Sequence, residues 1–293
     1  MASVAAALSW WPAPAKLNLF LHVVGRRADG YHDLQTLFQL IDLSDRIGIC
    51  IRADGAIERL AGIPGVAPER DLVVRAARAL REYTATTAGA DLRVIKHIPV
   101  GGGLGGGSSD AATVLWALNR LWRTGLGVEE LAALGLELGA DVPLFVHGFS
   151  AWGEGRGERL QPISLPRRWF LVIHPGVAVS TAEIFQAPEL TRNSSLITIR
   201  AAAADQTRND CEPVVRARYR EVGAALDWLD AQLLMRGERT KARLTGTGAC
   251  IFAGFDREQD ARRIARQVPA QWSAFVARGL DRSPLHERVS ADG

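Results

Sequence analysis

The 293-residue chain is poor in cysteine: its three, Cys50, Cys211 and Cys250, lie far apart, with no CxxC pair and no even-numbered framework. That excludes a disulfide scaffold and a cysteine zinc site, and a reduced, cytoplasmic compartment with three structural thiols is expected. No group of His, Cys, Asp and Glu has metal-ligand spacing, so no protein-held metal is expected. No apolar run is long enough to span a bilayer, which argues against a membrane partner. A secretory leader is not expected either. Met1 to Leu8 is small and apolar and Ala13-Pro14-Ala15 resembles a cleavage site, but no Lys or Arg precedes Lys16, and Trp10-Trp11-Pro12 soon ends the run. The formal net charge is only +3, with Lys and Arg spread along the chain. This is no nucleic-acid footprint, although it suits an anionic small ligand. Internal repeats and low-complexity tails are lacking.

What is present reads as an ordinary globular chain, 47% apolar and 23% charged, long enough for one large domain or two medium ones. Residues 17–24 (LNLFLHVV) predict a strand, Arg26–Gly30 a turn, and residues 34–41 and 47–51 two more strands around a turn at Asp42–Asp45. Asp71 predicts a helix cap, because LVVRAARALREY repeats apolar residues at helical spacing. A short strand at 92–95 leads to a glycine-rich stretch, Gly101–Gly107, and a helix to about Leu121. A helix at 128–138 and a strand at 144–146 follow. Composition shifts to glycine and charge at Gly153–Gly157, which suggests two domains, 1–157 and 158–293. The second half predicts a strand at 169–173, a weakly patterned polar stretch from Pro188 to Cys211, and a helix at 214–235. After a glycine turn at Thr245–Gly248 come a strand at 250–253, a helix at 257–267 and a strand at 273–277. Strands and helices mix in both halves, so the class is α/β or α+β. The eight tryptophans share no evident function and read as packing.

The run Pro99-Val100-Gly101-Gly102-Gly103-Leu104-Gly105-Gly106-Gly107-Ser108-Ser109 is the most informative segment. Glycines let backbone N–H groups approach an anion, and the following helix turns its positive end to the same place. Ser108 and Ser109 add hydroxyl donors, and the whole predicts a phosphate cradle. A linker seldom runs from a strand directly into an amphipathic helix. Gly101-x-Gly103-x-x-Gly106 matches a dinucleotide fingerprint, but Arg120 and Arg123 occupy the region where an acidic ribose ligand belongs. A Walker A loop needs a Lys after the glycines, and a protein-kinase loop needs HRD and DFG downstream; neither is present.

The remaining pattern, P-x-x-x-G-L-G-x-x-S-S-x-A, resembles the GHMP kinase superfamily, named for galactokinase, homoserine, mevalonate and phosphomevalonate kinases. Ala13-Pro-Ala-Lys-Leu-Asn-Leu19 resembles its N-terminal motif, and Leu244-Thr-Gly-Thr-Gly-Ala-Cys250 its C-terminal glycine motif. Arg27-Ala-Asp-Gly-Tyr-His32, Gly139-Ala-Asp-Val-Pro143 and Ser283-Pro-Leu-His286 are similar to the branch that phosphorylates a cytidine diphosphate-linked methylerythritol on the route to isoprenoids. The resemblance runs from about Trp11 to His286. It implies an α+β fold whose N-terminal part resembles the second domain of ribosomal protein S5 and whose C-terminal part is ferredoxin-like. It also implies ATP, Mg²⁺ and transfer to a tertiary hydroxyl, by a monomer or weak homodimer.

Carried over residue by residue, the resemblance makes Asp141 the base or hydrogen-bond acceptor for the hydroxyl. It makes Lys16 the point charge near the transferring group, and gives Asn18, two residues along the same strand face, to the substrate. Taken alone, Asp141 would be a turn residue and His32 a loop histidine, whereas Lys16 sits inside an apolar strand start where a surface lysine is out of place. Tyr31 and Phe185 are implied as two faces around the cytosine, with His32 on its polar edge. They fall on opposite sides of the boundary at Gly157, which puts the substrate in a cleft between domains. Thr245–Gly248 reads equally as a plain turn or as part of the site. Asp71 stands where the family has an Asn on adenine; it caps a helix as well but has no amide to donate. The readings kept in competition are another GHMP kinase and a non-catalytic sensor of the same fold.

Overall fold

The computed structural model describes residues 8–61, 66–202 and 207–291; of the apolar opening Met1–Leu8, only Leu8 lies within them. The chain starts as a long antiparallel hairpin of β1 (Ser9–Arg26) and β2 (His32–Arg52). Pleating separates the faces of β1: Ala13, Ala15 and Leu17 enter the apolar core, while Lys16 and Asn18 fall one residue out of phase. The turn expected at Asp42–Asp45 is instead a bulge inside β2. Pro14 pairs with Ser44 and Ala15 with Ile41, so Asp42 and Leu43 are extra on one strand. Asp42 then accepts the backbone N–H of Arg278, which gives its turn-forming side chain a tertiary use.

A short edge strand β3 (Ile57–Ala61) pairs in parallel with β4 (Gly89–Ile95), and α1 (Leu72–Thr84) connects them. Asp71 caps α1 as expected, accepting from Val73 N at 3.1 Å. Helices α2 (Gly106–Leu121) and α3 (Val128–Leu138) follow, as the periodicity predicts. The strand expected at 144–146 is a helix, α4 (Val142–His147). A short apolar run cannot separate a buried strand from a buried helix, and Pro143 in the first turn favours the helix. The glycine-rich stretch near Gly155 belongs to β5 (Ala151–Gly155) and its turn into β6 (Arg159–Pro162).

The second half is built from β7 (Trp169–His174), short helices α5 (Thr181–Gln186), α6 (Ile199–Ala202) and α7 (Glu212–Arg218), and a long helix α8 (Arg220–Met235). It continues with β8 (Arg243–Leu244), β9 (Ile251–Phe255), α9 (Glu258–Ala265) and β10 (Ser273–Leu280). The single helix expected over 214–235 is broken at Tyr219, whose hydroxyl is tied to Glu183 at 2.8 Å. The apolar period runs through the break unchanged, so it gave no sign of it. The strand order β10-β7-β9-β8 is the fourth-first-third-second order of a βαββαβ unit, a ferredoxin-like half.

The halves share one sheet. Ser273–Arg278 of β10 pair with β7, and Gly279 and Leu280 continue onto Ile41 and Leu40 of β2. A last helix, α10 (Pro284–Ala291), returns to the first half, where Leu285 joins the core under α2. Leu17, Ile98 and Leu104 from one half pack with Phe170, Val172 and Cys250 from the other. The cavity above this seam is therefore floored by a continuous core. No helix of the described residues is long and apolar enough to cross a membrane.

Candidate active site

A cavity of about 540 Å³ opens between the halves, lined on one side by Lys16, Asn18, Gly101–Ser108 and Asp141 and on the other by Thr181, Phe185, Gly246 and Thr247. The glycine loop enters it from β4. Buried Asp45 fixes the entry by accepting the backbone N–H groups of His97 at 2.5 Å and Ile98 at 2.9 Å. Lys96 ties the same carboxylate to Asp110 on α2, whose Oδ2 lies 2.8 Å from the Lys96 ammonium. Burial pushes the Asp110 carboxyl up to about 8, against the attraction of Lys96, and its Oδ1 has no hydrogen-bond partner. Burial opposes the charge on Lys96, but Asp110 and Asp45 together raise its pKa above the ordinary lysine value.

The loop needs glycine at specific points. Gly101, Gly103 and Gly105 have φ of +70°, +73° and +71°, a region L side chains rarely adopt. A Cβ on Gly103 would collide with the Thr245 carbonyl, and one on Gly105 would press on Phe145 and the Lys16 stem. The loop is also pinned from the second half, because Ala249 N donates to Gly101 O and Cys250 N to Gly102 O. Helix α2 starts at Gly106 with no side-chain cap, which leaves its first N–H groups free beside the cavity. This cradle fits an oligophosphate. Ser108 lines it; Ser109 is fully buried, with its Oγ unpartnered, and is not on the lining.

Across from the cradle, Lys16 Nζ donates to Asn18 Oδ1 at 2.5 Å and lies 3.4 Å from Asp141 Oδ2. Lys16 is buried and close above the Phe38 ring, while the Asp141 side chain keeps 32% of its surface exposed. Asp141 precedes α4 yet caps nothing, so its carboxylate is left for the cavity. Asn18 is held twice more: its Nδ2 donates to Thr36 Oγ1 at 2.8 Å, and its backbone N–H donates to Thr245 Oγ1 at 2.9 Å. Thr245–Gly248 is thus part of the site. Asn209 secures that turn, donating to Leu244 O and Gly246 O, and Thr247 Oγ1 meets Thr181 Oγ1 at 2.8 Å.

The expected cytosine-binding residues are arranged unevenly. Phe185 lines the cavity with its ring stacked on His32, centroids 5.2 Å apart. His32 accepts from Arg192 Nε at 3.0 Å, and burial, helped by Arg192, lowers its pKa. Neither His32 nor Tyr31 is on the cavity lining; Tyr31 is 55% exposed, with its ring centre 4.8 Å from the guanidinium of Arg156, which does line the cavity. Tyr31 closes the β1–β2 turn and is exposed, whereas His32 opens β2 and is buried. The Thr245-Gly-Thr-Gly motif was the only signal for the supporting threonines. Nothing in the sequence signalled Asp45, Lys96, Asp110, Asn209 or Arg156.

The models for the GHMP kinases N-terminal domain and GHMP kinases C-terminal domain match residues 71–149 and 187–274. The chain belongs to the GHMP kinase family. It is 57% identical over 281 residues to a 4-diphosphocytidyl-2-C-methyl-D-erythritol kinase of Halorhodospira halophila, covering 95% of each chain. With the same-named protein of Alkalilimnicola ehrlichii it shares 56% over 288 residues, covering 97% of each. A crystal structure of 4-(cytidine 5'-diphospho)-2C-methyl-D-erythritol kinase superposes with a TM-score of 0.78 at 33% identity, covering 92% of this chain and 99% of that one. The Methanococcus jannaschii mevalonate kinase, at 17% identity and TM-score 0.64, shares the fold over 94% of this chain and 99% of its own. As a GHMP kinase, the chain has the α+β architecture expected from its motifs, and ATP is its phosphoryl donor.

Proposed function

We propose that this kinase transfers the γ-phosphoryl group of ATP to the 2-hydroxyl of 4-diphosphocytidyl-2-C-methyl-D-erythritol in the non-mevalonate isoprenoid precursor pathway. The observation that carries the reading is the Lys16–Asp141 pair, 3.4 Å apart, set in one cavity with the uncapped N-terminus of α2. The free N–H groups of the loop and helix hold the triphosphate. Asn18, locked by Thr36 and Thr245, orients the acceptor, and Asp141 accepts the hydrogen of its hydroxyl as the oxygen attacks. Lys16 stabilises the charge that spreads over the transferring phosphoryl oxygens, and it is poised to do so because no carboxylate other than Asp141 lies within ion-pair distance among the described residues.

Mg²⁺ favours one or two protein oxygens alongside substrate phosphates, and the described residues hold no group of three His, Cys, Asp or Glu that could bind it alone. Ser108 and Asp141, two of the oxygen-bearing side chains on the wall, would hold Mg²⁺, which would supply neutralisation of the phosphate charge. We further read residues 1–157 and 158–293 as the two domains, the second lending β10 and α10 to the first, in a cytoplasmic monomer or weak homodimer.

The test is phosphate transfer by the purified protein, followed by ³¹P NMR, with the cytidyl substrate, mevalonate and homoserine offered separately with ATP and Mg²⁺. The expected result is one new phosphate ester, from the cytidyl substrate alone. Turnover of mevalonate or homoserine instead would overturn the substrate, and no turnover of any would support a sensor.

A further inference from the structure

Each cation lining the cavity can be sorted by what neutralises it. Lys16 faces Asp141, and Lys96 is held by Asp45 and Asp110. Arg70 precedes the Asp71 cap, whose carboxylate is taken by Arg59 at 2.6 Å, so the Arg70 side chain has no hydrogen bond or ion pair among the described residues. Arg156 differs from the two lysines and, unlike Arg70, lies over an aromatic ring. It lines the cavity by the acceptor side, and its side chain has neither a hydrogen bond nor an ion pair within 4 Å among the described residues. It is nonetheless held in place. Gly155 and Gly157, with φ of +70° and +108°, turn the chain sharply on either side of it, and its backbone N–H donates to Glu158 Oε2 at 2.5 Å. Its guanidinium lies over the ring of Tyr31, which stands on the neighbouring β1–β2 turn.

A guanidinium stacked on an aromatic face keeps its N–H edge free, and that planar edge matches phosphate oxygens two at a time. Resting on the function proposed above, the acceptor carries a diphosphate between its base and the reacting polyol. With the hydroxyl at Asp141 and Asn18 and the base toward Phe185, that diphosphate must cross the intervening wall. We propose that Arg156 is a specificity-determining residue that binds the diphosphate of the acceptor while stacked on Tyr31. The rim thereby reads nucleoside and charge as one unit. It also explains an exposed tyrosine whose ring is covered by a cation rather than by the core.

The experiment compares wild type with Arg156→Met and Arg156→Lys, using cytidine and cytidine diphosphate as calorimetric ligands and the full substrate in turnover. Wild type should bind cytidine diphosphate more tightly than cytidine. Arg156→Met should erase that preference and raise KM for the cytidyl substrate about 10- to 100-fold, with KM for ATP unchanged and kcat altered much less. Arg156→Lys, which keeps the charge but not the fork, should fall between. If the diphosphate preference survives intact in Arg156→Met, Arg156 is only a rim residue and the proposal fails while the function stands. If wild type neither turns over the cytidyl substrate nor binds cytidine diphosphate, the function fails and takes the proposal with it. Melting curves should coincide, since the side chain makes no hydrogen bond or ion pair among the described residues; a variant that does not fold is replaced by Arg156→Gln.

Discussion

Lys16 and Lys96 line the same cavity, both largely shielded from water, and both meet carboxylates. The difference lies in the count and burial of their partners. Lys96 sits between Asp45 and Asp110, which solvent does not reach; the Asp45 carboxylate neutralises its charge inside the protein, and Asp110, its pKa raised by burial, keeps a proton below about pH 8. Lys16 has one half-exposed carboxylate at 3.4 Å and the neutral oxygen of Asn18, so its charge is left for an incoming phosphate. One lysine ties the loop entry to a helix, and the other, in the function proposed above, acts on substrate. A buried lysine beside an aspartate is therefore not enough to mark a catalytic pair; the surplus or deficit of charge around it decides.

The strongest test of the cradle that both lysines border is Gly103→Val. The added side chain meets the Thr245 carbonyl at a φ it cannot relax from, and ATP binding measured by calorimetry should vanish while the circular dichroism spectrum persists. Normal affinity would move the phosphates elsewhere. Asp141→Asn keeps the shape and removes the charge, so kcat should fall about 10²–10⁴-fold with ATP affinity little changed. More than about a tenth of the activity left would remove Asp141 from the chemistry.

The two lysines can then be set against each other directly. Lys96→Met leaves Asp45 and Asp110 facing each other and should cost about 3–5 kcal/mol, lowering Tm by at least about 6 °C. Lys16→Met should shift stability by under about 1 kcal/mol but cut kcat about 10²–10³-fold. Equal loss of stability in the two would dissolve the distinction. On the acceptor side, Phe185→Ala should weaken the cytidyl substrate about 5- to 150-fold in a titration and spare ATP.

The smallest effect concerns pH. Burial holds the Asp110 carboxyl up at about 8, above its value in an unfolded chain, so the folded protein keeps a proton that the unfolded chain releases near pH 4. Its stabilisation is whole below that range and is lost as pH climbs through about 8. Asp110→Asn has no such proton, and its Tm should fall less than wild type between pH 5 and 8.5, by about 2 °C or more. A parallel pair of Tm curves would show that Asp110 titrates normally.

Local chemistry made much of this legible in advance. Asp71 before an apolar helical period predicts a capped helix, and the Gly101–Ser108 run ahead of another predicts a phosphate cradle, because both signals are carried by neighbours in sequence. Asp42–Asp45 and the 144–146 run misled for the matching reason. A turn-prone patch can bulge when a partner strand stays paired, and a fully buried apolar run has no period to read. The site shows the same divide. Its motifs named Lys16, Asn18 and Asp141.

The sequence alone determined the glycine loop, the helix that starts at its end, and the strand face shared by Lys16 and Asn18, since backbone sterics and pleat act over a few residues. Only the tertiary structure decided that Lys96 is held between two buried acidic groups while Lys16 meets one partly exposed carboxylate, that Thr245 holds Asn18 from 227 positions away, and that Arg156 lies over Tyr31. Those outcomes depend on which charges and donors meet once β10 joins the two halves. Electrostatic and hydrogen-bond energies follow distance in space, and the order of residues along the chain does not encode it.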